Sequence, residues 1–519
     1  MANAQDAHIP SLSTTRAIPL HLKRRAILRR NIARYSSLLS PIRKLPTEIL
    51  RRVFGFACVT DPQDRIFRGS AAPFYLGGVC ARWREITLNS PELWTNIFLD
   101  LAERTRYAAT LIIERSEQHL LSLRLNGGWD EDTLDATEDI FGLFTAHASR
   151  WREMDFSELG TVAFGAFTAV ETPQLETIAF SPLQTEIIFP KLSHAPRLRN
   201  VKYGDGIEEG SLDDVPWNGV DRLELAFDNT RTPSSVFKAL RLGYDLKSLV
   251  YYGEANVGWV NPTLYERNEG GPQPVSSNLE TLSVRLGCAG GFYNLLHNFI
   301  RSLKLPFLNN LTVSFLEPSD VKDREVLTFG TASWPRDVFI QFMERSGCNL
   351  TTLVLEGIPL ADTEVISLLN YTTTLRSFTL CELFASSHEV SERRRWEHMA
   401  QLNPKRLHKT ITESLLRRLE APTFGVDVFS TQCPIVPRLT YLKLGVQSHF
   451  NAHRAFVDMV KSRWDRPNGD AFSYRTERLR TAVLHVLNGT VEESIYEPLK
   501  RLDEKGMMVS VLANGKWVV

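Results

Sequence analysis

The chain has 519 residues, and its 60 basic and 60 acidic side chains leave a formal net charge of zero. That balance argues against a general nucleic-acid binder, which is basic overall, while an apolar content of 43% supplies a substantial core. The length allows about three domains or one long repeat array, and no apolar run reaches the roughly 18 residues of a membrane helix.

Residues 1–19 are polar, contain Pro10 and several Ser and Thr, and lack a signal-peptide core, so a disordered tail is expected. Residues 20–40 read as a basic helix. Leu22, Ala26, Ile27, Ile32, Tyr35, Leu38 and Leu39 recur at helical spacing, and Lys23, Arg24, Arg25, Arg29, Arg30 and Arg34 fill the face between. A nuclear-import patch or an RNA contact competes there with the simpler reading of a solvated helix face.

Residues 41–99 form the next segment. Leu45-Pro46 enters a helix with Pro46 at its first position, where a missing N–H costs nothing. Ile49, Leu50, Val53 and Phe54 follow at helical spacing. A second apolar run, Leu76 to Val79, leads into Cys80 and Trp83, and Ser90-Pro91-Glu92-Leu93-Trp94 reads as a capped helix start with Ser90 as cap. A unit below about 70–80 residues has a small core, so some of these side chains should face the rest of the chain or a partner.

The string LP-x-EIL, then VC-x-x-W, then LW, carried by Leu45, Pro46, Glu48, Ile49, Leu50, Val79, Cys80, Trp83, Leu93 and Trp94, is similar to the F-box. That is the adaptor-binding module of Skp–cullin–F-box ubiquitin ligases. With the basic stretch before LLSPIRKLPTEIL, it most resembles the large F-box-like families of fungi. The sequence departs from a compact F-box at Thr60 to Pro73, an extra loop between the first two helices. The resemblance implies docking on a Skp-type adaptor, and through it a cullin, by Leu45, Pro46, Ile49, Leu50, Val53, Val79, Cys80, Trp83, Leu93 and Trp94.

Residues 100–519 read as a leucine-rich-repeat-like solenoid with a C-terminal cap. Leu99 to Ser116 suggests a bridging helix. Then a phrase, apolar-x-x-apolar-x-apolar, recurs: LLSLRL at 120, WREMDF at 151, PQLETIAF at 173, PRLRNVKY at 196, VDRLELAF at 220 and LKSLVYY at 246. NLETLSV at 278, FLNNLTV at 307, NLTTLVL at 349, LRSFTL at 375, RLTYLKL at 438 and RLRTAVL at 478 continue it. Its last three positions alternate as in a half-buried strand. Helical stretches at Pro335–Ser346, Ala361–Leu369, Ile411–Leu419, Ala452–Val460 and Ser494–Glu504 stand between phrases, and Met507 to Leu512 makes a last strand.

Alternating strand and helix resembles a leucine-rich-repeat array, in which stacked units bury one another's apolar strand faces. The mean spacing of about 33 residues exceeds the usual range of about 20–29. The Asn or Cys expected after the short strand is also missing from most units. A mixed α/β fold of another topology is the competing reading. The fold class expected is therefore α/β: an N-terminal helical F-box module followed by an irregular leucine-rich-repeat-like solenoid.

No catalytic motif is present: no G-x-S-x-G, no H-E-x-x-H, no phosphate loop. Cysteines 58, 80, 288, 348, 381 and 433 include no C-x-x-C pair, which suits a reducing cytoplasmic or nuclear compartment. Cys80, in VCARW on a helix meant to pack, reads as a small apolar residue rather than a nucleophile, and the histidines stand singly. No catalytic residue, metal site, cofactor, nucleic acid or membrane is expected. The leading expectation is a ubiquitin-ligase substrate receptor whose array holds an unknown target protein. A repeat scaffold merely capped by the F-box-like segment is the alternative, and an enzyme with a site assembled across distant repeats is the third reading.

Overall fold

The computed structural model describes residues 24–25, 27–32, 35–36, 40–58, 72–100, 105–127, 134–160, 170–180, 194–203, 212–213, 215–226, 234–253, 274–286, 292–315, 334–358, 360–382, 410–421, 435–464, 476–487, 489 and 491–519. The chain divides into two compact units, residues 1–100 with 104–123, and residues 101–103 with 124–519. The expected disordered tail at 1–19 lies outside the described residues. The described residues between 24 and 36 are helical and exposed.

In the first unit a 3-10 turn, Pro41–Lys44, precedes helix α1, Thr47–Cys58. Helices α2, Ala72–Val79, and α3, Ala81–Leu88, follow, then a 3-10 turn Pro91–Trp94, strand β1, Asn96–Asp100, helix α4, Arg106–Arg115, and the start of strand β2, Leu121–Gly127. The core gathers Leu50, Phe54, Cys58, Ile86, Leu93, Trp94, Ile97 and Ile112, each worth about 1.5–3 kcal/mol for the large side chains. Trp94 fixes the centre. Its indole N–H donates to the Thr87 carbonyl at 2.9 Å, its ring meets Phe74 edge-on at 5.0 Å, and the Arg115 guanidinium lies 4.7 Å from it.

Local geometry corrects several expectations. Pro46 precedes the first helical residue rather than occupying it. Ser90 holds the cap position, but its hydroxyl donates to the Ile86 carbonyl at 2.7 Å and caps nothing, closing the end of α3 instead. Ala72 and Pro73 belong to α2 rather than to the expected loop, and residues 60–71 lie outside the described residues. Cys80 is extended, φ −161° and ψ 168°, and separates α2 from α3 rather than lying on a helix. Leu99 is on β1, and the helix expected from there begins only at Arg106.

The second unit is mixed α/β and carries a large, mostly parallel sheet. Its strands are β3 Trp151–Leu159, β4 Thr177–Phe180, β5 Asn200–Tyr203, β6 Arg222–Ala226, β7 Ser248–Gly253, β9 Thr281–Leu286 and β11 Asn310–Phe315. They continue as β12 Thr352–Glu356, β13 Ser377–Cys381, β14 Tyr441–Val446, β15 Thr481–Val486, β16 Met508–Ala513 and β17 Lys516–Trp517. Each strand pairs with the next in this order, parallel until β17 turns back on β16. Strands β8, Val275–Ser276, and β10, Leu303–Lys304, form a separate short parallel ladder. Every recurring phrase from WREMDF onward lies on the large sheet, and Leu223, Leu225, Leu282, Leu353, Leu355, Leu380, Leu442 and Leu444 are all buried.

Backbone hydrogen bonds set the register. From β4 to β14 of the large sheet the carbonyl just before the strand accepts two N–H groups from the next unit. Glu176 accepts from Arg199 and Asn200, Arg199 from Asp221 and Arg222, and Asp221 from Lys247 and Ser248. The series runs on through Lys247, Glu280, Asn309, Thr351 and Arg376 to Thr440, which accepts from Arg480 and Thr481. Hydroxyls of Thr351 and Thr440 add third donors at Asn309 and Arg376, 3.1 Å each. This ladder satisfies groups that would otherwise be orphaned.

Helices between strands include α5 Leu134–Thr145, α6 Ser234–Leu242, α7 Phe292–Arg301, α8 Arg336–Ser346, α9 Asp362–Tyr371, α10 Glu413–Leu419, α11 His453–Trp464 and α12 Glu493–Glu504. From α7 onward each packs on its successor. They cover the second and fourth strand positions: Phe299 of α7 stacks on Tyr251 of β7 at 5.5 Å. The third and fifth positions face the other way.

Candidate protein-docking surface

Helix α1 carries two apolar stripes about 100° apart. Leu50, Phe54 and Cys58 point into the core, and burial raises the Cys58 thiol to about 12. Ile49, Val53 and Phe56, at i, i+4 and i+7, form the other stripe, exposed by 42%, 42% and 79%. Pro46, one turn earlier, is exposed and Leu45 is half-buried. The entry is clamped by Arg82, whose guanidinium donates to the carbonyls of Arg43 at 2.8 Å and Leu45 at 2.7 Å. On α2, Tyr75 and Val79 stand four residues apart, Val79 60% exposed.

The sequence-selected residues therefore divide. Pro46, Ile49, Val53 and Val79 are exposed; Leu45, Cys80 and Trp83 are half-buried; Leu50, Leu93 and Trp94 are core. Trp83 packs on Phe54 with ring centroids 4.7 Å apart. Phe56, Phe74, Tyr75 and Leu88 are exposed apolar residues outside the F-box-like motif. Phe56 was within reach, since it continues the Ile49 and Val53 spacing.

The second surface is the sheet face opposite the helices. In one row, across the strands, stand Tyr252, Arg285, Ser314, Glu356, Cys381, Gly445 and His485. Two residues earlier runs Glu224, Val250, Ser283, Thr312, Val354, Thr379 and Lys443. Arg285 donates to the Tyr252 hydroxyl at 3.2 Å and lies 5.2 Å from its ring. Burial chiefly raises the Tyr252 pKa, with the nearby Glu224 adding to the shift and Arg285 opposing it. Burial also raises the Glu356 carboxyl, against the pull of Lys443 and Arg285. Cys381 is pushed up to about 12, mainly by burial and then by Glu356, so it is no thiolate nucleophile. Gly445 keeps this row low, because a Cβ there would lie 2.8 Å from the Cys381 sulfur.

Among the described residues no group of three His, Cys, Asp or Glu side chains could hold a metal ion, and no helix is long and apolar enough to cross a membrane. No family model and no curated protein matches the chain. Among solved structures, a chain in the crystal structure of the Rad7 and Elc1 complex in yeast is similar at 14% identity, over 96% of this chain and 98% of that one, with a TM-score of 0.32. A score that low bears on neither fold nor partner.

Proposed function

We propose that the chain is a substrate-recognition subunit of a Skp–cullin–F-box type ubiquitin ligase. The segment from Leu45 to Trp94 docks on a Skp-type adaptor, the leucine-rich-repeat-like array holds a target protein, and the chain performs no chemistry itself. It raises the effective concentration of target lysines near a ubiquitin-charged enzyme. The observation that carries this reading is the second apolar stripe of α1. Ile49, Val53 and Phe56 are left in solvent on a helix whose other stripe already serves the core, and two of the three belong to the F-box-like set. Exposed contiguous apolar surface of this kind marks interaction sites.

The burial of Leu93 and Trp94 favours a second reading, in which the segment is a structural cap on a non-catalytic scaffold. Adaptor binding separates the two. The purified chain should bind a Skp-type adaptor, and the Leu45→Ala/Pro46→Ala and Ile49→Ala/Val53→Ala pairs should each cost about 2 kcal/mol or more, as interface anchors do. Circular dichroism should stay unchanged. Failure of the wild type to bind any Skp-type adaptor supports the scaffold; full binding by both folded double variants moves the docking surface elsewhere.

A further inference from the structure

The target-holding face carries a charge pattern with a definite pitch. Arg285 and Glu356 occupy the same row, on strands β9 and β12 with β11 between them. Lys443, on β14 with β13 between it and β12, stands one row lower, near enough to Glu356 for its charge to oppose the rise of that carboxyl. The face thus reads plus, minus, plus at two-strand intervals, or about 9.6 Å per step for strands about 4.8 Å apart. The central carboxylate is half-buried, and among the described residues it makes no hydrogen bond and no ion pair within contact distance. Arg285 and Lys443 act on it only through space. The floor is low and polar: Ser283, Ser314 and Thr379 are nine-tenths buried. The Ser283 hydroxyl, two residues from Arg285 on the same strand face, has no hydrogen-bond partner.

We infer that this lane holds an extended segment of the target with the pattern acidic–x–x–basic–x–x–acidic, crossing the strands, its basic side chain on Glu356 and its acidic ones on Arg285 and Lys443. The inference rests on the reading of the array as the target-holding part. An extended polyproline-type segment returns to the same face every third residue, about 9.3 Å along, which matches the two-strand step. Complementary charges fix the register of such a segment more than its affinity.

The test is fluorescence polarisation with the full chain and a labelled peptide, Asp-Pro-Ala-Lys-Pro-Ala-Asp. Its charge-reversed partner, Lys-Pro-Ala-Asp-Pro-Ala-Lys, and a peptide of equal composition with charges two residues apart serve as controls. The first should bind at least about tenfold tighter than either control. Glu356→Gln should remove most of that preference. Glu356→Lys should abolish it and, in exchange, gain affinity for Asp-Pro-Ala-Asp-Pro-Ala-Asp, with circular dichroism confirming the fold of both variants. Equal binding of the three wild-type probes, no binding of any, or an unchanged preference in folded Glu356→Gln overturns the inference. Adaptor binding is scored separately. A chain that binds adaptor but not this peptide loses only the lane, and one that binds the peptide but no adaptor loses only the ligase reading.

Discussion

Arg463 is a fully buried cation near the end of α11, and its removal is the sharpest test of the packing in the second unit. Its Nε donates to the Leu419 carbonyl at the end of α10, its Nη1 to Val436 at 3.2 Å and its Nη2 to Ile435 at 2.9 Å. Val436 is in the left-handed region at φ 46°, a costly state for a β-branched residue of about 1–3 kcal/mol, and the guanidinium helps hold it. Arg463→Met keeps the apolar stem and deletes the donors. Three hydrogen bonds to a charged group at about 1.5 kcal/mol each give about 4.5 kcal/mol at the low end. Part of this is returned because methionine has no charge to desolvate. The net expected loss is about 3 kcal/mol, read as a lowered urea midpoint by circular dichroism. Arg463→Lys should fall between, since one ammonium cannot reach all three carbonyls with fork geometry. A methionine variant within about 0.5 kcal/mol of wild type, the range of a neutral surface change, would refute the argument that these carbonyls depend on the guanidinium.

Further outcomes follow from the same geometry. Leu353→Ala, at a fully buried position in the middle of the sheet, should destabilise by about 2–5 kcal/mol in urea unfolding; a neutral result would mean the phrase positions do not form the core. Gly445→Ala should cost about 1–3 kcal/mol through the clash with the Cys381 sulfur. Part of that cost should vanish in a Cys381→Ala background, which removes the sulfur and leaves a Cβ at 3.1 Å, and equal costs in both backgrounds would reject the clash with the sulfur. His453 shares a hydrogen bond with Tyr496, and burial lowers its pKa below the ordinary 6.5. The unfolded chain therefore takes up a proton before the folded one does, so stability is complete above about pH 6.5 and falls as pH drops below it. His453→Gln should flatten the melting temperature between pH 7 and 5, and an unchanged slope would assign the acid sensitivity to another group.

Much of the fold was legible where one period dominated. The strand phrases alternate, and Leu, Val and Ile at their even positions needed only a sheet to bury them. Other features were written in the sequence and passed over. Asn514-Gly515 is a two-residue hairpin signal, and with φ of 49° and 75° it folds Lys516–Trp517 back on β16. Phe292 to Arg301 has apolar residues at helical spacing and becomes α7, between the phrases at 278 and 307. The segment proposed to dock shows a limit of a different kind. Ile49, Leu50, Val53 and Phe54 all suit an apolar helix face, but only tertiary packing decides which of two adjacent stripes is covered. The charged lane was less legible still, because residues as far apart as Arg285 and Lys443 line up on one face only once strand register is known.

The same register explains how so uneven a sequence makes one sheet. The spacing between phrases is irregular, and the Asn that ordinarily marks each leucine-rich unit is mostly absent. In its place the backbone does the ordering, with the carbonyl before one strand holding two N–H groups of the next. A backbone ladder makes no demand on side-chain identity, so Glu176, Arg199, Asp221, Lys247 and Asn309 serve equally well as its rungs. It makes little demand on connector length either, because each doubling of a flexible loop costs only about 0.6 kcal/mol. Arg376 and Thr440 are joined by a ladder rung although 64 residues separate them in sequence. The third and fifth strand positions, which face away from the helices, are then bound neither by the ladder nor by the core. The irregularity that weakens the repeat signature is thus compatible with a fixed sheet, and the sequence freedom it permits falls on the surface proposed to choose the target.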